Sequence, residues 1–144
     1  GKGIFDGEMK CDHAARFQTG KTGVVEGFKS YFLQNEDGQI RETYSISAGL
    51  DYSGGGPQIA YLKDIGRIVM TYALDTDALR AYELLAKQEG IIAALESCHA
   101  LAEVIKLAPT LAKDKVIVFN CSGRGDKDLF IVSKKFNFNI HAKN

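Results

Sequence analysis

The chain has 144 residues, a length that suits one domain with a buried core, and we expect residues 1–144 to form a single domain. Its 18 basic and 18 acidic side chains cancel, and no basic run carries interleaved aromatic residues, which argues against nucleic-acid binding. No apolar run approaches the roughly 18 residues of a membrane span, and three widely spaced cysteines without a CxxC pair favour reduced thiols in the cytoplasm.

A β-hairpin is predicted in the first third of the chain. Val24 and Val25 open one strand, and residues 30–34 form another. Residues 35–38 end in Asp-Gly, which tolerates the positive φ of a hairpin turn, and residues 40–46 predict the returning strand.

A loop is predicted at residues 47–57, because three consecutive glycines followed by Pro57 fit neither a helix nor a central strand. A short helical turn is expected over residues 60–63. Residues 68–72 have the composition of a short buried strand.

Two helices are predicted in the second half. Asp75 is a good N-cap for the first helix, which Gly90 ends. The second helix runs from about residue 95 to residue 108 and stops at Pro109. Its predicted buried side carries Leu101, Ala102 and Ile105.

A β-branched and aromatic run at residues 116–119 predicts a strand covered on both faces. The order of hairpin, loop, strand, two helices and strand argues for the α/β class, with a mainly parallel sheet, flanking helices and the β-hairpin. Ligands in such sheets bind beyond the carboxyl ends of strands, which makes residues 120–126 a candidate site.

The Ser-Gly-Arg-Gly sequence at residues 122–125 fits either a tight turn or a ligand contact. Glycine allows backbone N–H groups to face an anion, and Ser122 offers a hydroxyl. The spacing is neither that of a dinucleotide-binding fingerprint nor that of a P-loop. The alternating charges of residues 124–128 are typical of a solvated helix start.

Glu96, Ser97, Cys98 and His99 open the second predicted helix and suggest either catalysis or helix capping. Only Glu96 and His99, at i and i+3, share a face, so a Cys–His nucleophile from adjacent residues is geometrically poor. Near the start, Cys11-Asp12-His13 has no second pair at zinc spacing, so metal binding is not favoured there.

Seven segments occur together, in one order and spacing, in a known family. They are Leu33-Gln34 with residues 36–40, residues 44–52, Gly56-Pro57-Gln58, Ala60-Tyr61-Leu62, Glu89-Gly90-Ile91-Ile92, Ala94-Leu95-Glu96-Ser97 and residues 122–128. Any one is weak evidence, whereas the combination is specific and covers residues 11–132. The chain resembles the carboxy-terminal half of the tryptophan synthase β subunit. This implies half of a type II pyridoxal-phosphate fold and, in the complete family, replacement of the L-serine hydroxyl by indole to give L-tryptophan.

The resemblance implies roles for particular residues. Ser122 would hydrogen-bond the pyridine nitrogen of pyridoxal 5'-phosphate, and Gly123 would let the backbone approach the ring. Glu96, supported by Ser97, would lie beside the ring's phenolic side. Asp51 would act in the closed state by ordering its loop and contacting the serine side chain. Asp51 and Glu96 are therefore the candidate catalytic residues.

The resemblance also implies a monovalent-cation site made of main-chain carbonyls around Tyr52 and Gly54. Without cofactor, we expect the loop at residues 51–56 to be poorly protected, with Asp51 exposed and unpaired. Ala93 stands where the family usually has proline, which loosens the turn before Glu96.

Several parts of the family's site have no counterpart in the chain. The Schiff-base lysine, the acid–base glutamate, the loop for the substrate carboxylate and the glycine-rich phosphate cradle belong to the family's amino-terminal half. Together with a start at Gly1 rather than methionine, this indicates a fragment. The implied partners are that amino-terminal half and the tryptophan synthase α subunit, and a homodimer is possible. The expected location is the cytoplasm, with a plastid as the alternative if the source is a plant.

Two functions follow. The first is a partial tryptophan synthase β chain that contributes half of a pyridoxal-phosphate site and is inactive alone. The alternative is a non-catalytic α/β remnant that binds a protein partner or a small anion. A phosphate-binding Rossmann-like enzyme is disfavoured because its glycine fingerprint is missing.

Overall fold

The computed structural model describes residues 13–137, and the chain divides into two compact units, residues 1–75 and residues 76–144. The prediction of a single domain over residues 1–144 stays a prediction. In chain order the elements are α1 Arg16–Thr19, β1 Lys21–Val25, β2 Phe28–Phe32, α2 Pro57–Asp64, α3 Asp75–Glu89, α4 Leu95–Leu107, the 3-10 turns Ala108–Thr110 and Asp126–Asp128, and α5 Leu129–Phe136.

The hairpin of the first unit forms earlier than predicted. β1 and β2 pair antiparallel, with Lys21 opposite Phe32. Glu26 and Gly27 connect them with φ values of 51° and 84°, the positive values that a tight hairpin turn requires. The side chain of Phe32 is fully buried at the end of β2.

The second turn is confirmed, but the returning strand over residues 40–46 is wrong. Gly38 has a φ of 79°, and Asn35 Oδ1 accepts a hydrogen bond of 2.8 Å from Gln39 N. Only one isolated bridge, between Gln34 and Ile40, follows this turn. The glycine loop takes the free edge of β2 instead, because Leu33 N donates to Ser53 O and Gly55 N donates to Tyr31 O.

The ends of α3 and α4 follow the predicted signals, whereas the start of α2 at Pro57 was predicted as loop. α2 begins at Pro57, where the missing N–H costs nothing, and it is longer than the predicted turn over residues 60–63. α3 ends before Gly90, which has a φ of 68°. α4 ends at Leu107, and the next turn contains Pro109.

The buried face of α4 differs from the predicted one. Leu95, Cys98, His99 and Ala102, at i, i+3, i+4 and i+7, are buried, whereas the side chain of Ile105 is exposed and that of Leu101 is half-buried. The other buried apolar residues of this unit are Ala78, Ala81, Tyr82, Ala93, Ala94 and Val132. Ala102 was therefore predicted correctly, and Ile105 was not.

The strands predicted at residues 68–72 and 116–119 do not form in this chain. Within residues 13–137 the sheet is the two-stranded hairpin, and the mainly parallel sheet stays a prediction. Val69, Val116 and Val118 are 93%, 86% and 92% exposed. A buried strand needs neighbouring strands on its edges, and the described residues do not provide them. The chain is α/β in content, with five α-helices in the described part, none of which is long and apolar enough to cross a membrane.

Two identical valine substitutions in the second unit separate the predicted core from the observed one. Val132→Ala should lower the free energy of unfolding by about 1–2 kcal/mol, because it removes two buried methyl groups from α5. Val118→Ala should change it by less than about 0.5 kcal/mol. Urea unfolding followed by circular dichroism measures both free energies. A larger loss for Val118→Ala than for Val132→Ala would support the prediction of a buried strand at residues 116–119.

Candidate functional site

A short antiparallel contact joins the start of α4 to the Ser-Gly-Arg-Gly turn. Ala94 N donates to Gly123 O at 2.8 Å, Gly125 N donates to Ile92 O at 2.8 Å, and Ala93 forms a bridge with Arg124. Residues 92–94 and 123–125 therefore run side by side. This pairing fixes the positions of the residues just after Ala94 and just before Gly123.

Ser97 and Ser122 meet as a direct result of this contact, although 25 residues separate them in sequence. Their hydroxyl oxygens lie 2.9 Å apart, and Ser122 N donates to Ser97 Oγ at 3.0 Å. Ser97 is buried, whereas Ser122 is exposed. The structure therefore presents an exposed hydroxyl whose position is fixed by a buried one.

The two glycines of the turn have different requirements. A Cβ added at Gly125 would collide with the carbonyl of Ala93, so only glycine fits this close approach. A Cβ added at Gly123 would make an ordinary contact of 3.4 Å with the Ala94 side chain. The space beside Gly123 is therefore not filled by the described part of the chain.

Glu96 is held by a lysine that follows the same turn. Lys127 Nζ donates to Glu96 Oε2 at 2.9 Å and Oε1 at 3.2 Å, and to Asp128 Oδ1 at 2.8 Å. Asp128 is 2% exposed, and its Oδ2 accepts a hydrogen bond of 2.9 Å from Leu95 N, at the start of α4. One lysine thus bridges two carboxylates close in sequence to the serine pair.

The prediction of a solvated helix start at residues 124–128 is confirmed for Arg124, Asp126 and Lys127, which are exposed ahead of α5. Arg124 and Asp126 pair at 3.0 Å with exposed side chains. The prediction is wrong for Asp128, which is buried. Burial lowers the pKa of the Lys127 ammonium, but its hydrogen bonds to Asp128 and Glu96 outweigh burial and hold that pKa above its usual value.

Cys98 and His99 form no nucleophilic pair. His99 Nδ1 donates to Leu95 O at 2.7 Å, within its own helix. Burial, followed by the nearby Cys121, Asp128 and Glu96, raises the pKa of the Cys98 thiol to about 12. A thiol of such high pKa stays protonated at neutral pH and is a poor nucleophile.

The Asp51 loop belongs to the first unit, and the structure gives it hydrogen bonds of its own, while its low protection stays a prediction. Asp51 is exposed, as predicted, but its Oδ1 accepts a hydrogen bond of 2.7 Å from Thr43 Oγ1, so the prediction of an unpaired carboxylate is wrong. Asp51 N donates to Ser47 O at 3.1 Å, and Tyr52 N donates to Leu50 O at 2.9 Å. The loop's own hydrogen bonds therefore orient Asp51.

The main-chain carbonyls predicted for a monovalent cation are partly engaged. Arg16 Nη1 donates to Tyr52 O at 2.9 Å, whereas the bridge between Gly54 and Phe32 is made by Ser53 O and Gly55 N. The residues present thus do not fit a cation at Tyr52. In residues 13–137 no group of three or more His, Cys, Asp or Glu side chains could hold a metal ion. Cys11 and Asp12 lie outside the described residues.

Four residues of these two sites were missed by the sequence reasoning: Arg16, Thr43, Lys127 and Asp128. Arg16 contacts carbonyls 34 and 36 residues away, and Asp128 binds an amide 33 residues away. Helical spacing and local turn rules carry no signal for such contacts. The alternating charges around Lys127 were visible, but their burial depends on the contact between residues 92–94 and 123–125.

No protein-family model matches the chain. Curated relatives do. Tryptophan synthase beta chain 1 of Chlamydia caviae is 59% identical over 129 residues, which are 90% of this chain and 30% of the relative. The tryptophan synthase beta chain of Allorhizobium ampelinum is 53% identical over 93% of this chain and 32% of the relative, and that of Chlamydia trachomatis is 54% identical over 90% and 32%.

Identity at this level over nine tenths of the chain makes it a homologue of part of a biosynthetic enzyme chain. The resemblance to the tryptophan synthase β subunit is confirmed. The chain spans about 30% of the length of the curated relatives that it matches.

Replacing Lys127 by methionine tests the carboxylate cluster. Because Asp128 would stay buried without its cation, and because solvent screens the half-exposed lysine, we expect a loss of about 1 kcal/mol in the free energy of unfolding. The raised pKa means that this contribution is present below pH 10.5 and is lost as the pH rises above it. Urea unfolding measures the loss, with the exposed Lys113→Met as control; equal effects would contradict the cluster.

The raised pKa of Cys98 predicts selective alkylation. In a Cys11→Ser background, iodoacetamide near neutral pH should modify the exposed Cys121 and leave Cys98 unmodified until urea unfolds the chain. Mass spectrometry of the digested chain distinguishes the two thiols. Similar rates for both in the folded chain would show that Cys98 is accessible.

Proposed function

We propose that the chain is part of a tryptophan synthase β chain and contributes about half of a pyridoxal-phosphate site for the conversion of L-serine and indole to L-tryptophan. The observation that carries the proposal is the Ser97–Ser122 pair beside the balanced Glu96 carboxylate. The names of the homologues support it, because the matched segments include every residue of this group.

The hydrogen bonding of the serine pair fits a pyridine nitrogen. Ser97 Oγ accepts from Ser122 N, and the 2.9 Å contact between the two hydroxyls allows either one to be the donor; in the proposal Ser97 donates to Ser122 Oγ. A hydroxyl has one donor and two acceptor positions, so the Ser122 O–H is left to donate to an unprotonated ring nitrogen. The open space beside Gly123 supports the approach of a planar ring to the backbone.

Pyridoxal phosphate, when bound, supplies the electron sink for bond breaking at the α and β carbons of the amino-acid substrate. The role of Ser122 in this proposal is to hold the ring by a neutral hydrogen bond, which leaves the ring nitrogen without a fixed proton. Ser97 positions Ser122 from the buried side. Both roles need hydroxyl groups in fixed positions. The contact of residues 92–94 with residues 123–125 holds the two serines in place.

Glu96 is proposed to lie beside the phenolic side of the cofactor. Its carboxylate is half-buried and paired with Lys127, which it shares with Asp128, so its position is set before any ligand binds. Lys127 is therefore a positioning residue for Glu96. Asp51, oriented by Thr43, is proposed to contact the side chain of the serine substrate.

The rest of the β chain is the proposed partner. Val69, Val116 and Val118 expose apolar side chains on two segments whose composition is that of buried strands. We propose that the rest of the enzyme packs on these segments, completes the mainly parallel sheet of a type II pyridoxal-phosphate fold and brings the lysine that binds the cofactor. A tryptophan synthase α subunit as partner, a homodimer and a cytoplasmic location are further proposals drawn from the family.

The alternative is a non-catalytic α/β remnant that binds a protein partner or a small anion. The exposed valines fit this reading equally well, because they show a surface without showing what covers it. Binding of pyridoxal phosphate distinguishes the two hypotheses, because a non-catalytic remnant does not require Ser122 and Glu96 to contact the cofactor.

A chimera tests the proposal. The homologous 129-residue segment of the Chlamydia caviae β chain is replaced by that of this chain, and tryptophan formation from L-serine and indole is measured. We expect activity in the chimera and none in the 144-residue chain alone, which has no cofactor-binding lysine by resemblance. Ser122→Ala should weaken cofactor binding about three- to ten-fold, by the loss of one hydrogen bond.

Ser133→Ala is the matched control, because this buried hydroxyl of the same unit donates only to Phe130 O among the bonds described. It should leave cofactor binding, followed by absorbance titration, unchanged. A folded chimera that binds no pyridoxal phosphate, or equal affinities in the two serine variants, would contradict the proposal.

A further inference from the structure

Three main-chain carbonyls converge on one nitrogen beneath the Asp51 loop. Arg16 Nη1 lies 2.9 Å from Leu50 O, 2.9 Å from Tyr52 O and 3.3 Å from Ala14 O. Two of these carbonyls directly flank Asp51. The convergence is notable because the two contacts with the loop come from a residue 34 to 36 positions earlier in the chain.

We infer that Arg16 takes the place of a monovalent cation beneath the Asp51 loop and is the residue that holds the backbone on both sides of Asp51. A monovalent cation held by main-chain oxygens needs several carbonyls directed at one point, and here the guanidinium nitrogen occupies that point. A second positive charge among the same oxygens would be repelled by the first. The guanidinium keeps its charge across the accessible pH range.

The burial of Arg16 supports a structural rather than a solvated cation. Burial lowers the pKa of the guanidinium, with a smaller opposing effect from Tyr52, so part of its hydration has been exchanged for protein contacts. The carbonyls replace that water. Hydrogen bonds that involve an ionised donor are stronger than neutral ones, particularly where solvent is partly excluded.

A neighbouring residue of α1 holds the other end of the loop. The ring of Phe17 lies against Gly55 so closely that a Cβ on this glycine would overlap it, and the ring also contacts Tyr31, with centroids 5.9 Å apart. Arg16 and Phe17 therefore fix the loop at Leu50–Tyr52 and at Gly55. The loop between these points includes the two residues whose carbonyls the resemblance assigned to a cation.

The consequence is a loop whose order does not depend on the identity of the monovalent cation in solution. The inference about Arg16 rests on the proposed function only for the catalytic role of Asp51. Whether Arg16 replaces a cation beneath the loop is tested without measuring catalysis. A failure of this inference would thus leave the proposed function standing, and the reverse also holds.

Amide hydrogen exchange of the full 144-residue chain is the test. The probes are the chlorides of sodium, potassium and caesium, compared with tetramethylammonium chloride at equal ionic strength. In the unmodified chain we expect the exchange of the Asp51 and Tyr52 amides and the unfolding temperature to be the same in all four salts. In Arg16→Met these amides should exchange about ten- to a hundred-fold faster, because hydrogen bonds from a charged donor are lost.

Arg41→Met is the matched control, since this exposed arginine lies in the same unit, and it should exchange like the unmodified chain. Stronger protection of Asp51 and Tyr52 in sodium or potassium than in tetramethylammonium would overturn the inference, because it would show that a cation binds in spite of Arg16. Unchanged exchange in Arg16→Met would overturn it as well. If the variant does not fold, the salt comparison on the unmodified chain still decides.

Discussion

The close approach of Gly125 to Ala93 is the constraint on which the second unit depends. Since a side chain at residue 125 would meet a main-chain carbonyl, only glycine allows residues 123–125 to lie along residues 92–94. This register places Ser122 on Ser97 and brings Asp128 to the first amide of α4. Backbone hydrogen bonds thus join the start of α4 to the turn at residues 123–125. The side-chain contacts are a consequence of that pairing.

The parts of the fold that the sequence predicts are those with a local cause. Gly90 and Pro109 mark helix ends because each limits the backbone at its own position. Residues 116–119 fail for the opposite reason. Their β-branched composition suits a central strand, but a central strand exists only between neighbours, and Val118 is exposed where the neighbours are missing.

The candidate site shows the same difference between residues that local motifs indicate and residues whose roles depend on distant contacts. The family's motifs indicate Ser122, Ser97 and Glu96, and the structure brings the two serines into contact. The group that holds the Glu96 carboxylate and the group that holds the backbone beside Asp51 both escaped prediction. Lys127 reads as one charge among several in a polar run, and Arg16 as an ordinary basic residue in a short irregular segment. Their roles come from carbonyls and carboxylates that are more than 30 residues distant in sequence.

The two proposed catalytic carboxylates are held within their own units, Asp51 by Thr43 and Glu96 by Lys127. Fixing a long polar side chain costs up to about 2 kcal/mol in rotamer entropy, and here that cost is met on folding rather than on assembly or ligand binding. The rest of the enzyme then need not order these groups. In the proposed function that part covers the exposed apolar segments and brings the lysine and the phosphate cradle that the resemblance assigns to it. Assembly by burial of apolar surface suits this division, because such burial is non-directional and leaves the geometry of the preformed carboxylates unchanged.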